Sequence, residues 1–309
     1  MSDPLSEVVR LLRPRAVFSK GIAGAGAWSV RYSEFGEPSF SVVLDGHGTL
    51  AVDGQPEIAL APGDFVLLPA TPGFTMSGAE PATPVHVDPK TAPAPTGEVR
   101  HGRPDGPPDV RLLGGWFLFD APDPALLSSL LPALVHVRGE PRLSALVRLL
   151  REETEAERPG RDVVLAHLVD LLLVETLRAA PRHDAPPGLL RGLADARLAP
   201  ALREMHARPA QAWTVAQLAR TAALSRSAFF ERFARTVGMA PMAYLLAWRM
   251  TLARDLLRHQ RIDVAATAER VGYRSPSTFT TAFSRHVGVP PGRYARQARN
   301  ENGPAIAGP

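Results

Sequence analysis

Between residues 15 and 69, apolar and polar positions alternate in short runs broken by turn residues. Ala27–Phe35 sets Trp28, Val30, Tyr32 and Phe35 among polar neighbours. Phe40–Leu44, Thr49–Val52, Glu57–Leu60 and Asp64–Leu68 follow, separated by Gly36-Glu-Pro, Asp45-Gly-His-Gly, Asp53-Gly-Gln-Pro and Ala61-Pro-Gly. Short apolar runs bounded by Gly, Pro and Asp predict strands, and Asp53-Gly54 is a strong hairpin signal. Strands this short and this closely spaced predict a barrel or sandwich. Residues 81–108 carry eight prolines, which predicts a loop returning to one more strand at Val110–Phe119. From Pro124 the period becomes helical, with stretches at Pro124–Val137, Arg142–Ala156 and Asp162–Arg178. The third is apolar nearly all round, as a helix buried in a core or a subunit interface would be, and is the candidate dimer element. Pro181, Pro186 and Pro187 mark a linker, and the chain beyond it reads as helical.

That helical part repeats itself. At a shift of fifty residues Ser225 falls on Ser275, Phe229 on Phe279, Phe233 on Phe283, Arg235 on Arg285, Val237 on Val287, Gly238 on Gly288, Pro241 on Pro291 and Tyr244 on Tyr294. Upstream the shift is forty-nine, with Val215 on Val264 and Ala219 on Ala268. One residue is therefore inserted in the second copy's turn, Gly272-Tyr-Arg-Ser275 against Ala223-Leu-Ser225. Each copy reads helix, turn, helix. Thr214 N-caps the first helix and Ser225 the second, whose inner face carries the i, i+4 pair Phe229 and Phe233. Small residues at 219 and 268 let the paired helices cross closely. This is the pattern of a helix-turn-helix unit, whose second helix fits the DNA major groove. A long helix, Met242–Leu257, joins the copies, with Leu245, Trp248, Leu252 and Leu256 as its expected buried face. A pair of helical hairpins that binds protein is the competing reading.

Charge favours DNA. Residues 201–300 hold 16 Arg against five acidic residues, a balance of +11, while the whole chain carries only +4. The basic third points to a polyanion and the remainder is mildly acidic. With 309 residues the chain is long enough for two domains. It has no cysteine, which excludes disulfides, zinc–cysteine sites, iron–sulfur clusters and thiol chemistry. The longest apolar run, Val163–Leu177, is interrupted by His167, Asp170 and Glu175 and predicts no membrane span. The first residues, Met1-Ser-Asp-Pro-Leu-Ser-Glu, lack a basic head and an apolar run, so no secretion signal is expected and the cytoplasm is the expected location.

Residues 201–298 resemble the DNA-binding domain of the AraC/XylS family of bacterial transcription regulators. The first copy carries Thr214-Val-Ala-Gln-Leu-Ala, Leu224-Ser225-(x)3-Phe229-(x)3-Phe233 and Gly238-(x)2-Pro241-(x)2-Tyr244-Leu245-(x)3-Arg249-Met250. The second carries Val271-Gly-Tyr273-(x)-Ser275-(x)3-Phe279-(x)3-Phe283-(x)4-Gly288 and Pro291-(x)2-Tyr294. The strand-rich half, with Pro62-Gly-Asp64-(x)4-Pro69, resembles the cupin-type sensor domain many of these regulators carry. The resemblance implies an α+β multidomain protein: a cupin-like sensor barrel at 1–120, a helical dimerisation and relay segment at 121–180, a linker at 181–188, an all-α domain of two helix-turn-helix units at 189–300, and a disordered tail at 301–309. It implies promoter or operator DNA and RNA polymerase as partners, a homodimer, and two recognition helices in successive major-groove segments. Transcription regulation is then expected, with no catalytic residues and no cofactor.

On the first recognition helix Arg226, Ser227, Phe230 and Glu231 face outward near the N-terminus. Glu accepts from cytosine and Phe touches a thymine methyl, unless Phe230 packs on the connecting helix. The corresponding positions of the second are Pro276, Ser277, Thr280 and Thr281, short side chains where the family often has Arg or Gln. Arg232, Arg235, Arg249, Arg274 and Arg285 are candidate phosphate clamps, as are Thr214, Ser225 and Ser275 through hydroxyls and helix N-termini.

In the barrel, Trp28, Val30, Phe40 and Val42, with Leu44, Phe65 and His47, are candidates to line an effector pocket, or else plain core. A cupin-type metal-dependent enzyme fused to a DNA-binding module is the alternative. Cupin enzymes use a His-x-His pair with a Glu and a later His. Here His47 stands without a second His two residues on, so no metal site is expected unless His86 and His101 converge on it.

Overall fold

The structure, a computed structural model, describes residues 3–91, 98–119, 133–156, 158–179 and 187–301. It divides into two compact units. One runs from Pro14 to Phe119 and from Leu131 to Pro181; the other gathers Met1–Arg13 with Arg182–Pro309.

The first unit contains β1 (Pro14–Ala25), β2 (Ser29–Tyr32), β3 (Ser39–Gly46), β4 (Gly48–Val52), β5 (Ile58–Leu60), β6 (Phe65–Leu68), β7 (Phe74–Ser77), β8 (Val85–Val87), β9 (Val99–Gly102), β10 (Val110–Phe119) and β11 (Val135–Val137). These form a six-stranded sheet, β11-β6-β3-β10-β1-β9, and a five-stranded sheet, β5-β4-β7-β2-β8. Strand alternation sends one set of side chains between the sheets. There Ile22, Val43, Val66, Leu68, Val110 and Leu112 of the larger sheet meet Trp28, Val30, Tyr32, Leu50, Val52, Leu60 and Met76. Residues of opposite parity in the larger sheet are buried too: Phe40, Val42, Phe65 and Leu67 are all at most 3% exposed. They lie on its outer face, where α2 (Pro141–Glu155) and α3 (Arg161–Ala179) pack. Phe40 stacks on Phe65 at 6.2 Å and meets Phe117 at 5.1 Å. Of the expected pocket residues, Trp28 and Val30 therefore face inward. Phe40, Val42 and Phe65 do not, because their parity in β3 and β6 turns them toward the helices. His47 sits in the β3–β4 turn, exposed.

The motif Pro62-Gly-Asp64 has a structural task. Asp64 is fully buried and accepts from Ala61 N–H at 2.9 Å, from Arg138 Nε at 2.8 Å, and pairs with His136 Nε2 at 3.0 Å. Burial would raise its pKa, but the Arg138 and His136 hydrogen bonds hold it below the usual carboxylate range. This pins the segment after β11 to the β5–β6 turn.

Several elements differ from the sequence expectation. The final residues of the expected Pro124–Val137 helix are strand: Val135 and Val137 are buried about His136 and pair antiparallel with β6. The stretch before them, 124–132, lies outside the described residues, as do most of the expected linker and tail. The proline-rich segment holds β8 and β9, edge strands parallel to β2 and β1. Pro84 and Pro89 flank β8 rather than interrupt it, and an edge tolerates missing donors.

The second unit contains α1 (Pro4–Leu12), α4 (Leu189–Ala194), α5 (Leu198–Ala207), α6 (Val215–Thr221), α7 (Arg226–Val237), α8 (Pro241–Arg258), α9 (Val264–Arg270), α10 (Pro276–Val287) and α11 (Pro291–Glu301). The N-terminal helix groups with this unit by its contacts, whereas the sequence reading set it within 1–120. Asp3 caps it, accepting from Ser6 N–H at 3.1 Å, with Pro4 in its first turn. Val8, Leu11 and Leu12, at i, i+3 and i+4, are buried, and α1 packs on α5. Arg13 ion-pairs with Asp255 of α8 at 3.1 Å.

Beneath α1 lies His206, 2% exposed and 4.0 Å from the Trp248 ring centre. Its neutral form satisfies both partners: Nδ1–H donates to Glu7 at 3.2 Å, and Nε2 accepts from the Tyr244 hydroxyl at 2.7 Å. Burial pushes its pKa below 6.5, with Glu7 opposing in part. The unfolded chain therefore binds a proton near pH 6.5 that the folded unit resists. The resulting stability is full above that pH and is lost as pH falls toward the folded value. Thermal unfolding between pH 7 and 5 is expected to show stability falling by up to about 1.4 kcal/mol per pH unit from this group. His206→Gln should flatten that dependence; an unchanged slope would show that other groups set it.

Candidate nucleic-acid interface

The two helix pairs α6–α7 and α9–α10 are built by the same local rules. Thr214 caps α6 in a full capping box: Gln217 N–H donates to its hydroxyl at 3.2 Å, and Thr214 N–H to the Gln217 side chain at 2.8 Å. Asp263, which the repeat did not single out, caps α9 by accepting from Ala266 N–H at 2.8 Å. Ser225 and Ser275 cap α7 and α10, accepting from Ala228 N–H at 3.2 Å and Thr278 N–H at 3.5 Å. Gly238 and Gly288 end the same helices in the left-handed region, at φ of 84° and 87°.

The aromatic cores of the two copies superimpose in their numbers. Phe229 and Phe233 stand 5.6 Å apart at 53°, Phe279 and Phe283 5.5 Å apart at 53°. Phe233 meets Tyr244 edge-on at 5.7 Å and 70°, and Phe283 meets Tyr294 at 5.6 Å and 68°. Two phenylalanines with no exposure thus seat each recognition helix on its own hairpin and on the helix that follows.

The copies differ in the turn. The left-handed residue is Ala223 at φ 51° in the first and Gly272 at φ 86° in the second. One residue separates Ala223 from its capping serine, but two separate Gly272 from Ser275. Tyr273 folds onto Phe279 at 5.5 Å, and Arg274 is exposed at the head of α10. Glycine is needed at 272 for a second reason. A Cβ there would lie 2.5 Å from the Ala210 carbonyl oxygen, so the second turn rests directly on the loop that leads into the first copy.

The same loop is held from the other side. Arg249 of α8 donates from Nε to the Pro209 carbonyl at 2.7 Å and from a terminal nitrogen to that of Gln211 at 2.7 Å. Trp213 adds an indole hydrogen bond to the Arg208 carbonyl at 3.1 Å. The expected phosphate clamp at 249 is therefore a correction: its guanidinium turns inward to meet carbonyls that have no helical partner. Arg232 is also engaged, pairing with Asp195 at 2.7 Å. Burial would raise the Asp195 pKa, but Arg232 and the backbone N–H groups of Arg197 and Leu198 hold it low.

The connecting helix α8 starts one residue before the expected Met242 and is buried on more than one face. Tyr244, Leu245 and Trp248 are buried, while Met250, Ala253 and Leu257 join the core of the second copy; Leu252 and Leu256 are only half-buried.

The remaining expected DNA residues face solvent. Arg226, Ser227, Phe230 and Glu231 line one shallow hollow with Val215. Phe230 is 46% exposed, so it lies at the surface rather than inside the core. On α10, Ser277 and Thr281 line a second hollow with Tyr273, Thr278, Ala282 and Arg285. Thr280 is partly exposed, and Arg235, Arg274 and Arg285 are exposed. The hydroxyls of Thr214, Ser225 and Ser275 are occupied as caps, so their approach to a phosphate runs through the helix N-termini they close.

Comparison with known proteins agrees with this arrangement. A family described as cupin matches residues 3–180, and one described as helix-turn-helix domain matches residues 218–297. A protein of Streptomyces lividans described as an AraC-like transcription regulator is 39% identical over 303 residues, covering 95% of this chain and 98% of its own. The chain belongs to the AraC-like transcription regulators. A second AraC-like relative, from Streptomyces antibioticus, is 38% identical over 303 residues, with 95% and 98% covered. In this AraC-like regulator, both helix pairs fall inside the matched helix-turn-helix region except for the start of α6, and the two facing sheets fall inside the cupin match. Among the described residues, no group of three His, Asp or Glu could hold a metal ion. No helix among them is long and apolar enough to cross a membrane.

The inward and outward arginines separate in one experiment. Arg235→Ala, Arg274→Ala and Arg285→Ala are each expected to lower the salt slope of DNA binding by about 1 with thermal stability intact. Arg249→Ala should instead lower thermal stability and leave the slope unchanged. A lowered slope for Arg249→Ala would return that residue to the phosphate set.

Proposed function

We propose that the chain regulates transcription by reading DNA with α7 and α10 in neighbouring major-groove segments. The observation that carries this reading is the duplicated aromatic seat, which presents two recognition helices from one scaffold in the most basic third of the chain. Arg226, Phe230 and Glu231 are the base-reading side chains of α7, and Ser277, Thr280 and Thr281 those of α10. Arg235, Arg274 and Arg285 hold phosphates, with RNA polymerase the further partner by resemblance.

The reading includes a homodimer and a small-molecule effector. Support for the dimer comes from α3. It buries Leu165, Val169, Leu172, Leu173 and Leu177, yet leaves Val163 and Leu171 61% and 52% exposed, with Leu149 of α2 at 47%. Support for an effector is at Trp28. Its indole is 4% exposed, stacks on His101 at 5.9 Å, and its N–H has no hydrogen-bond partner among the described residues. A ligand carrying an acceptor would complete that site. The chain then works as a cytoplasmic regulator rather than as an enzyme, in keeping with the AraC-like regulators it resembles along nearly its whole length.

Fluorescence anisotropy on the DNA upstream of its own gene, against a scrambled duplex, tests this across a salt series. A specific complex whose log K falls steeply with log salt is expected. Equal weak affinity for both duplexes, with and without added candidate ligands, would contradict it. Sedimentation of the same samples should show a dimer, and a monomer at every concentration would remove that part.

A further inference from the structure

The two recognition helices stand on matching seats but carry opposite chemistry. At equivalent positions α7 has Arg226, Ser227, Phe230 and Glu231, and α10 has Pro276, Ser277, Thr280 and Thr281. The first set offers a five-donor guanidinium and an acceptor carboxylate to base edges. The second set has no long polar group, and its hydroxyls are committed within the helix. Thr280 donates to the Pro276 carbonyl at 2.8 Å, Thr281 to the Ser277 carbonyl at 3.1 Å, and Ser277 pairs with Ser275 at 2.6 Å. Pro276 has no side-chain donor, and Thr278, which is exposed, lines the same hollow as Ser277 and Thr281. With their protons turned back on the helix, Thr280 and Thr281 have no hydroxyl donor left for a base edge, and each keeps a Cγ2 methyl. The major-groove partner that suits a methyl is the C5-methyl of thymine.

We propose that α10 selects its DNA segment through thymine methyl groups contacted by the Thr280 and Thr281 methyls, while α7 reads its segment by hydrogen bonds. The inference rests on the DNA-binding reading above and adds the base class that the second copy recognises. It makes the operator asymmetric in kind. One segment is defined by donor and acceptor pattern and the other by thymine content.

The test uses the full chain and a duplex selected by it from a random-sequence pool. Each thymine is replaced in turn by deoxyuridine, which removes the C5-methyl and keeps every hydrogen-bonding group. At the thymines under α10 the wild-type protein should lose affinity by about 4-fold per methyl. Thr280→Val/Thr281→Val keeps the methyls and should keep this thymine-over-uracil ratio. Thr280→Ser/Thr281→Ser keeps the hydroxyls and should bring the ratio at those positions close to one. If the valine variant loses the ratio and the serine variant keeps it, the hydroxyls are the reading groups and the proposal is overturned. It is equally overturned if no thymine costs the wild type more than the serine variant. Failure to select any duplex would overturn the DNA-binding reading itself, which a selected but uracil-insensitive duplex would leave standing.

Discussion

The half-buried guanidinium of Arg249 is the joint on which the DNA-facing unit depends. It ties the connecting helix to the carbonyls of Pro209 and Gln211, and the turn at Gly272 closes on Ala210 between them. The loop leading into the first helix pair is thus gripped by the connecting helix and by the second pair at once. Hydrogen bonds from a charged donor contribute about 1.5–3 kcal/mol each, more than most surface contacts. A side chain added at 272 would collide with backbone on one side and meet a left-handed φ on the other. The two recognition helices consequently share one support, and the matching aromatic geometries of the two copies follow from that shared support and from the repeated sequence.

On that common frame the exposed residues are free to diverge. The repeat keeps what seats a helix, namely the serine caps, paired phenylalanines, terminal glycines and following tyrosines. It does not keep what faces outward, where Phe230 and Glu231 give way to Thr280 and Thr281. Packing constrains the first group to within a few tenths of an ångström, and only a DNA sequence would constrain the second. The basic charge spreads between these roles: Arg232 and Arg249 are drawn into structure by Asp195 and by loop carbonyls, whereas Arg235, Arg274 and Arg285 remain exposed.

Much of this was legible in the chain. The helix-turn-helix copies, the caps Thr214 and Ser225, the inserted turn residue and the strand at Val110–Phe119 stand where the pattern placed them. What the pattern missed was set by tertiary contact. No spacing rule distinguishes an arginine that meets phosphate from one that meets a loop carbonyl, so Arg249 was misassigned. Periodicity could not tell which face of a doubly covered sheet Phe40 and Val42 would occupy. Val135–Val137 was absorbed into a helical stretch because three residues carry no period of their own. The N-terminal helix is different, since its signals are local: Asp3 as cap, Pro4 in the first turn, and Val8, Leu11 and Leu12 on one face. Its association with α5 depended on the buried His206, whose partners Glu7 and Tyr244 come from distant parts of the sequence.

The central claim is that one rigid support presents two recognition helices to one face of a duplex. Hydroxyl-radical footprinting of the full chain on a selected duplex tests it most directly. Two protected segments centred about one helical turn, or 10–10.5 base pairs, apart on the same face are expected for each bound chain. A single protected segment, or two segments without helical phasing, would contradict the claim.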